Sequence, residues 1–341
     1  MNEDLDELLV ACSDDMCHLQ EPIIASYNMQ SVIRKFADNK ISLERLLPSM
    51  GALHGDQVSL VRGQAVRDAL VHKKWTQMFD LVCDVVRSAK IQCLLIKTLE
   101  YPWAVLSDID VLPLNQFEEL RALRILEERG FALFQCRLLC HPLKIMALRD
   151  DEPAVDFYPS PMWIRKKVCD TELIFCRRKM SAVYKVFVPS SEDSLYLVGS
   201  HAYNHLKFTL AEILHGLSVI SKSFDWEYVF NLARNYGTLD SIYLYLRLLN
   251  AYSEKFRLCS PIDEDIVRAY EVFRVCKRIQ SWIDKSHQFV RLPLRIPGTI
   301  GCLYSSLYHC RTMSGRVSIP DLLRDFLSHY LMLTDRLLET T

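Results

Sequence analysis

At 341 residues, 50% of them hydrophobic, the chain has enough apolar material for about two domain-sized cores. Lys+Arg of 41 against Asp+Glu of 42 leaves a formal net charge of -1, which excludes a global electrostatic pull towards nucleic acid or an anionic membrane. Only 10 glycines argue against a long flexible linker and against a nucleotide fold dominated by glycine loops.

The amino terminus, Met-Asn-Glu-Asp-Leu-Asp-Glu-Leu-Leu, is acidic where a secretory signal is basic. No apolar run is long enough to span a bilayer. The 12 cysteines are scattered without a C-x-x-C, and neither Cys12 with Cys17 nor Cys136 with Cys140 has a second pair for structural zinc. They read as free buried thiols of a reducing cytosol, so a cytoplasmic protein is expected.

Residues 1–30 read as a loose arm or a first short helix. From 31 to 88 the apolar residues recur at helical spacing, with Leu70, Trp75, Phe79, Leu81, Val82, Val85 and Val86 forming one wide stripe. Two short apolar runs follow, at 91–96 and 105–114, bounded by turn chemistry at 100–102 and at Pro113; both read as core strands. Residues 115–129 predict an amphipathic helix with Phe117, Leu120, Leu123 and Leu126 on one face and Gly130 just past its end. Strands are expected at 131–140 and 153–158, joined through a turn at 150–153, with a last one at 185–188. Ser190, Glu192 and Asp193 form an N-cap signature opening a helix expected to reach about residue 221. Further helices are expected near 225–236, 238–256, 262–285 and 319–338, interrupted at 293–301. The expected architecture is α/β (α+β). A helical segment at 1–64 precedes a core at 65–189, a small mixed sheet flanked by helices. An all-helical region at 190–341 follows.

The most informative stretch runs Ser107, Asp108, Ile109, Asp110, Val111, Leu112. In a strand, residues i and i+2 share a face, so the two carboxylates project side by side while Ile109 and Val111 point into the core. Adjacent anions repel unless a cation lies between them, and Mg²⁺ suits carboxylate oxygens and phosphates. Asp156, centred in the apolar run Ala154, Val155, Asp156, Phe157, is the candidate third acid of a two-metal site for phosphoryl chemistry.

This set resembles the DNA polymerase β nucleotidyltransferase superfamily: a strand, a turn, an Asp-x-Asp strand, a helix ending in Gly130-Phe131, and a strand with a lone Asp. More narrowly it is similar to the uncharacterised bacterial and archaeal nucleotidyltransferase-like family whose first strand ends in Leu-Lys-Gly. The likeness covers roughly residues 65–250 and continues through His201-Ala-Tyr-Asn-His205, Glu212 and Asp225-Trp226. It implies an enzyme that moves an NMP from an NTP to a hydroxyl acceptor (tRNA, protein or small molecule) with two Mg²⁺ ions. Asp108 and Asp110 would bind both metals, and Asp156 would hold the one that activates the acceptor. Where such families carry a glycine pair for the triphosphate, this chain has Lys97 and Thr98, which offer a charge and a hydroxyl instead. The arginine often found before the Asp pair is absent as well. The alternative is therefore a catalytically inactive member of the fold that binds nucleotide or a protein partner.

On one continuous helix, His201, His205 and Glu212 would fall in a narrow sector opposite Leu206, Leu210, Ile213, Leu214 and Leu217. Without an H-E-x-x-H glutamate they do not read as a zinc site. They are expected either to line the cleft beside nucleotide or acceptor, or to be hydrogen-bonded between the two halves. The basic clusters 165–167 and 177–179 either track an RNA or triphosphate backbone or are solvated strand ends.

Overall fold

Five short strands organise the fold, in a computed structural model that describes residues 28–44, 55–97, 104, 106–135, 144–163, 166–182, 184–204, 207–221, 223–255, 262 and 294–295. β1 (Cys93–Ile96), β2 (Asp108–Pro113), β3 (Ala132–Gln135), β4 (Ile145–Leu148) and β5 (Ala154–Phe157) form one mixed sheet in the order β1-β2-β5-β4-β3. β2 and β5 are parallel, and the other neighbours are antiparallel. Strand alternation sorts the side chains onto two faces. Cys93, Leu95, Ile109, Val111, Val155 and Phe157 enter one core, whereas Leu94, Ile96, Leu112 and Tyr158 enter another. Asp108 and Asp110 share the parity of Leu112, and Asp156 that of Tyr158, so the acids lie on the second face.

The helices follow from capping and stripe geometry. α1 (Met29–Asp38) is capped by Asn28, whose side chain accepts from the Ser31 amide. α2 (Asp56–Ser88) is a single helix that runs through the boundary expected between residues 64 and 65. Its buried stripe serves both cores: Val61 and Ala65 join the core of the second sheet face, and Trp75, Phe79, Val82 and Val86 join that of the first. Leu70, expected on that stripe, is 55% exposed, because five residues of helix rotate it away from Trp75. α3 (Gln116–Glu128) is capped by Asn115 and ends at Gly130, whose φ of +86° explains the glycine. Its expected apolar face is corrected: Phe117 and Leu120 are exposed, and Ala122, Leu123 and Leu126 are buried. Steps of three residues drift by about 60° each, so four of them cannot share one face.

β4 was not expected. The turn at 150–153 joins β4 to β5, not the longer strand expected at 131–140, of which 136–140 lie outside the described residues. The expected last strand forms only a two-stranded ribbon, Phe187–Val188 with Lys179–Met180, and is not part of the five-stranded sheet.

After the six-residue helix α4 (Thr171–Cys176), Ser190 caps α5 (Ser191–Asn204) by accepting from the Asp193 amide at 3.1 Å. The single helix expected from 190 to about 221 is in fact two. Lys207–Phe208 pairs with Leu294–Arg295, and Thr209 then opens α6 (Leu210–Val219) with a full capping box on Glu212. The signal was present as Thr-x-x-Glu. α7 (Trp226–Asn235) and α8 (Leu239–Lys255) follow where helices were expected, while the two at 262–285 and 319–338, Ile262 apart, fall outside the described residues. α5 packs on α6, α7 and α8, and this group shares its core with α1 and the second face of the sheet. Cys83, Cys93 and Cys169 are free and buried, and Cys176 is free and exposed. Among the described residues no helix is long and apolar enough to cross a membrane.

His215 of α6 gives this core a pH dependence. Its Nε2 lies 2.9 Å from Ser194 Oγ, its Nδ1 has no hydrogen-bond partner among the described residues, and burial, aided by Lys179, pushes its pKa from 6.5 down to about 4. The imidazole is therefore neutral in the fold and takes up a proton first when unfolded. The stability that the neutral imidazole contributes should be lost as pH falls from 6.5 through about 4. In urea melts across that window, His215→Gln should remove this contribution from the slope of stability against pH, and an unchanged slope would count against this origin.

Candidate metal and substrate site

The parallel register of β2 and β5 sets Asp110 opposite Asp156 and Asp108 opposite Ala154. One carboxylate oxygen from each of Asp108, Asp110 and Asp156 lies within 4.8 Å of the other two. On the other side, the antiparallel register of β1 sets Ile96 opposite Asp110, so Lys97 leaves the strand end beside the acids. Trp75 of α2 donates its indole N–H to the Asp108 carbonyl at 3.0 Å, and Ser107 Oγ donates to Asp108 Oδ1 at 3.2 Å.

Two lysines converge on these acids. Lys97 Nζ lies 3.0 Å from Asp110 Oδ2, donates to Tyr158 Oη at 3.2 Å, and comes within 3.4 Å of His201 Nε2. Its backbone φ is +53°, the left-handed region that favours glycine. A side-chain-bearing residue held there costs about 1–2 kcal/mol. Lys144, just before β4, is ion-paired with Asp156 Oδ2.

Asp110 and Asp156 are only 8% and 2% exposed, yet the Oδ1 atom of each has no hydrogen-bond partner among the described residues. An unpartnered buried carboxylate oxygen is costly, and a cation shared between the two would satisfy both. The all-oxygen donor set suits a hard divalent ion such as Mg²⁺. The residues present therefore fit a metal ion.

The electrostatics agree. Burial alone would raise the Asp108 pKa, but the Lys97, Lys144 and Lys40 ammonium groups overcome it and hold the carboxyl below its ordinary value. Burial lifts Asp110 above its ordinary value despite Lys97, with Asp108 adding repulsion. Burial also pushes Asp156 up to about 7, helped by Asp110 and Asp108 and opposed by Lys144. Even beside the two lysines, burial and mutual repulsion make the full charge of the triad costly without a further cation.

The other expected site residues divide. His201, near the end of α5, touches Lys97 and so faces the acids. Thr98 and His205 lie outside the described residues. Glu212 does not share a helix with His201. It accepts from the Thr209 amide at 2.7 Å and from Thr209 Oγ1 at 2.9 Å, with Lys40 Nζ 3.9 Å away. It is a buried helix cap, and the helix break explains the misplacement. Glu212→Gln should lower stability by about 1 kcal/mol. Metal uptake by the triad should be unchanged, as titration calorimetry would read; altered uptake would return Glu212 to the site.

Of the basic clusters, Arg177 is ion-paired with Glu192 at 3.1 Å and stacks 3.7 Å from the Tyr228 ring centroid, so it ties α4 to α5 and α7. Lys167 is paired with Asp170. Lys144 and Tyr158 were not singled out in the sequence. Tyr158 shares the parity of Asp156, a usable signal, whereas Lys144 precedes a strand with no legible pattern. Comparison of the chain with protein-family models, with curated proteins and with solved structures finds no match.

Proposed function

We propose that this chain is a nucleotidyltransferase with a polymerase β-type core and a helical C-terminal domain, which moves an NMP from an NTP to a hydroxyl acceptor. The observation that carries the reading is the convergence of Asp108, Asp110 and Asp156 from two neighbouring strands, with two buried carboxylate oxygens left without a hydrogen-bond partner among the described residues. In this reading the three acids hold divalent metal, which supplies charge neutralisation for the transferring phosphoryl group. Lys97 contacts phosphate oxygens from the end of β1, where the left-handed backbone keeps the shape of the glycine it replaces. The acceptor oxygen bonds to the α-phosphorus, the bond to pyrophosphate breaks, and Asp156 is the group placed to take the acceptor proton. His201, against Lys97, orients that lysine or the acceptor.

The test is transfer of α-phosphate label from each of the four NTPs, with Mg²⁺, into RNA, protein and small-molecule pools of a lysate. Label should move with release of pyrophosphate and stop on chelation. Absence of transfer with every nucleotide and every pool would overturn the enzyme reading. One observation favours a second reading, a nucleotide-binding module without turnover: lysines already pair with Asp110 and Asp156. In that case NTP would bind and be recovered intact.

A further inference from the structure

The acidic triad carries its own cations. Lys97 Nζ sits on Asp110 Oδ2 and Lys144 Nζ on Asp156 Oδ2, with side chains only 7% and 12% exposed. They arrive from opposite flanks. β1 brings Lys97 alongside β2, and the approach to β4 brings Lys144 alongside β5, so the strand order places one ammonium on each side of the acid-bearing pair. Both also face the same buried aromatic ring, 4.5 Å and 5.3 Å from the Tyr158 centroid. An ammonium held between a carboxylate and a ring face, with little water, is a fixed charge and not a mobile surface lysine.

The charges and oxygens can be counted. Three ionised carboxylates bring three negative charges, and the two ammonium groups leave one negative charge over. One divalent ion then brings the cluster to a single positive charge, whereas two would leave three positive charges in a largely buried site. The oxygens agree: Oδ2 of both Asp110 and Asp156 is taken by lysine, and Oδ1 of both has no hydrogen-bond partner among the described residues. Those two atoms with Asp108 form one ligand set, not two.

We propose that Lys97 and Lys144 stand in for one of the two divalent ions that a three-carboxylate site of this kind would otherwise hold, so that the triad binds a single metal ion. The proposal rests on the metal-site reading above.

Mn²⁺, counted by its electron paramagnetic resonance signal on the full-length chain, separates the two claims. Wild type should take up one Mn²⁺ per chain and Asp108→Asn/Asp110→Asn none. Lys144→Met and Lys97→Met should each admit a second ion, whereas Lys144→Arg, which keeps the charge, should stay at one. Two ions in wild type, or one in both methionine variants, would overturn the lysine proposal while leaving the metal site standing. Equal uptake by wild type and the double asparagine variant would overturn both. If Lys144→Met is too unstable for counting because Asp156 has lost its partner, the rise in melting temperature on adding Mn²⁺ is read instead. It should be at least about twice that of wild type, and an equal rise overturns the proposal.

Discussion

On the proposed nucleotidyltransferase reading, exchanging Asp108 and Asp110 together for alanine is expected to lower label transfer from NTP by at least about a thousandfold, because the transferring phosphoryl group loses its charge clamp. Stabilisation by Mg²⁺, read as a rise in melting temperature, should vanish in the same variant. The effect on the metal-free protein is less obvious. Removing two carboxylates relieves like-charge repulsion, which by itself stabilises. Yet Asp110 is also the partner of Lys97, whose side chain is 7% exposed and would lose the carboxylate that now lies 3.0 Å away. Breaking one side of a buried pair outweighs the relief, so the metal-free variant should unfold at lower urea than wild type under chelating conditions. A variant that keeps transfer within tenfold of wild type would remove these residues from the chemistry.

The largest structural effect is expected at two glycines that the chemistry never touches. Gly199 of α5 and Gly216 of α6 both face Tyr245 of α8. A Cβ at Gly199 would lie 2.4 Å from Tyr245 Cδ1, and one at Gly216 would lie 2.5 Å from Tyr245 Oη and 2.9 Å from Leu249 Cδ2. The ring has nowhere to go. Tyr245 is fully buried, stacked on Phe208 at 5.7 Å between centroids, and its hydroxyl donates to the Glu212 carbonyl. Alanine at either position gains about 1 kcal/mol of helix propensity and loses more to overpacking. We expect a net destabilisation of roughly 2 kcal/mol for each, or about 3 °C in melting temperature. Gly63 is the control, because a Cβ there meets only Arg67 Nη1 at 3.7 Å. Gly63→Ala should be stabilising by up to about 1 kcal/mol. Equal behaviour of all three in thermal melts would mean that close helix packing is not what the glycines at 199 and 216 serve.

Local physics made part of this protein legible without coordinates. Two-residue alternation alone puts Asp108 and Asp110 on one strand face and Ile109 and Val111 on the other, and the same rule places Asp156 between two core residues of β5. Ser190 before Asp193 and Gly130 after α3 marked helix ends because capping is settled within four residues. Thr209-x-x-Glu212 is an equally local signal, and it breaks a helix that hydrophobic spacing alone would continue.

Other features have no local cause. β4 shows no clear alternation, with only Ala147 of its four residues buried, and exists because β3 and β5 supply partners on both sides. Lys144 meets Asp156 only because antiparallel pairing sets Met146 opposite that residue, and Lys97 meets Asp110 only because β1 ends beside β2. The carboxylates were thus written into the strands themselves, since parity is a property of one segment. The cations that answer them were decided by sheet order and register, since an ion pair needs two segments brought together by the burial of everything between them.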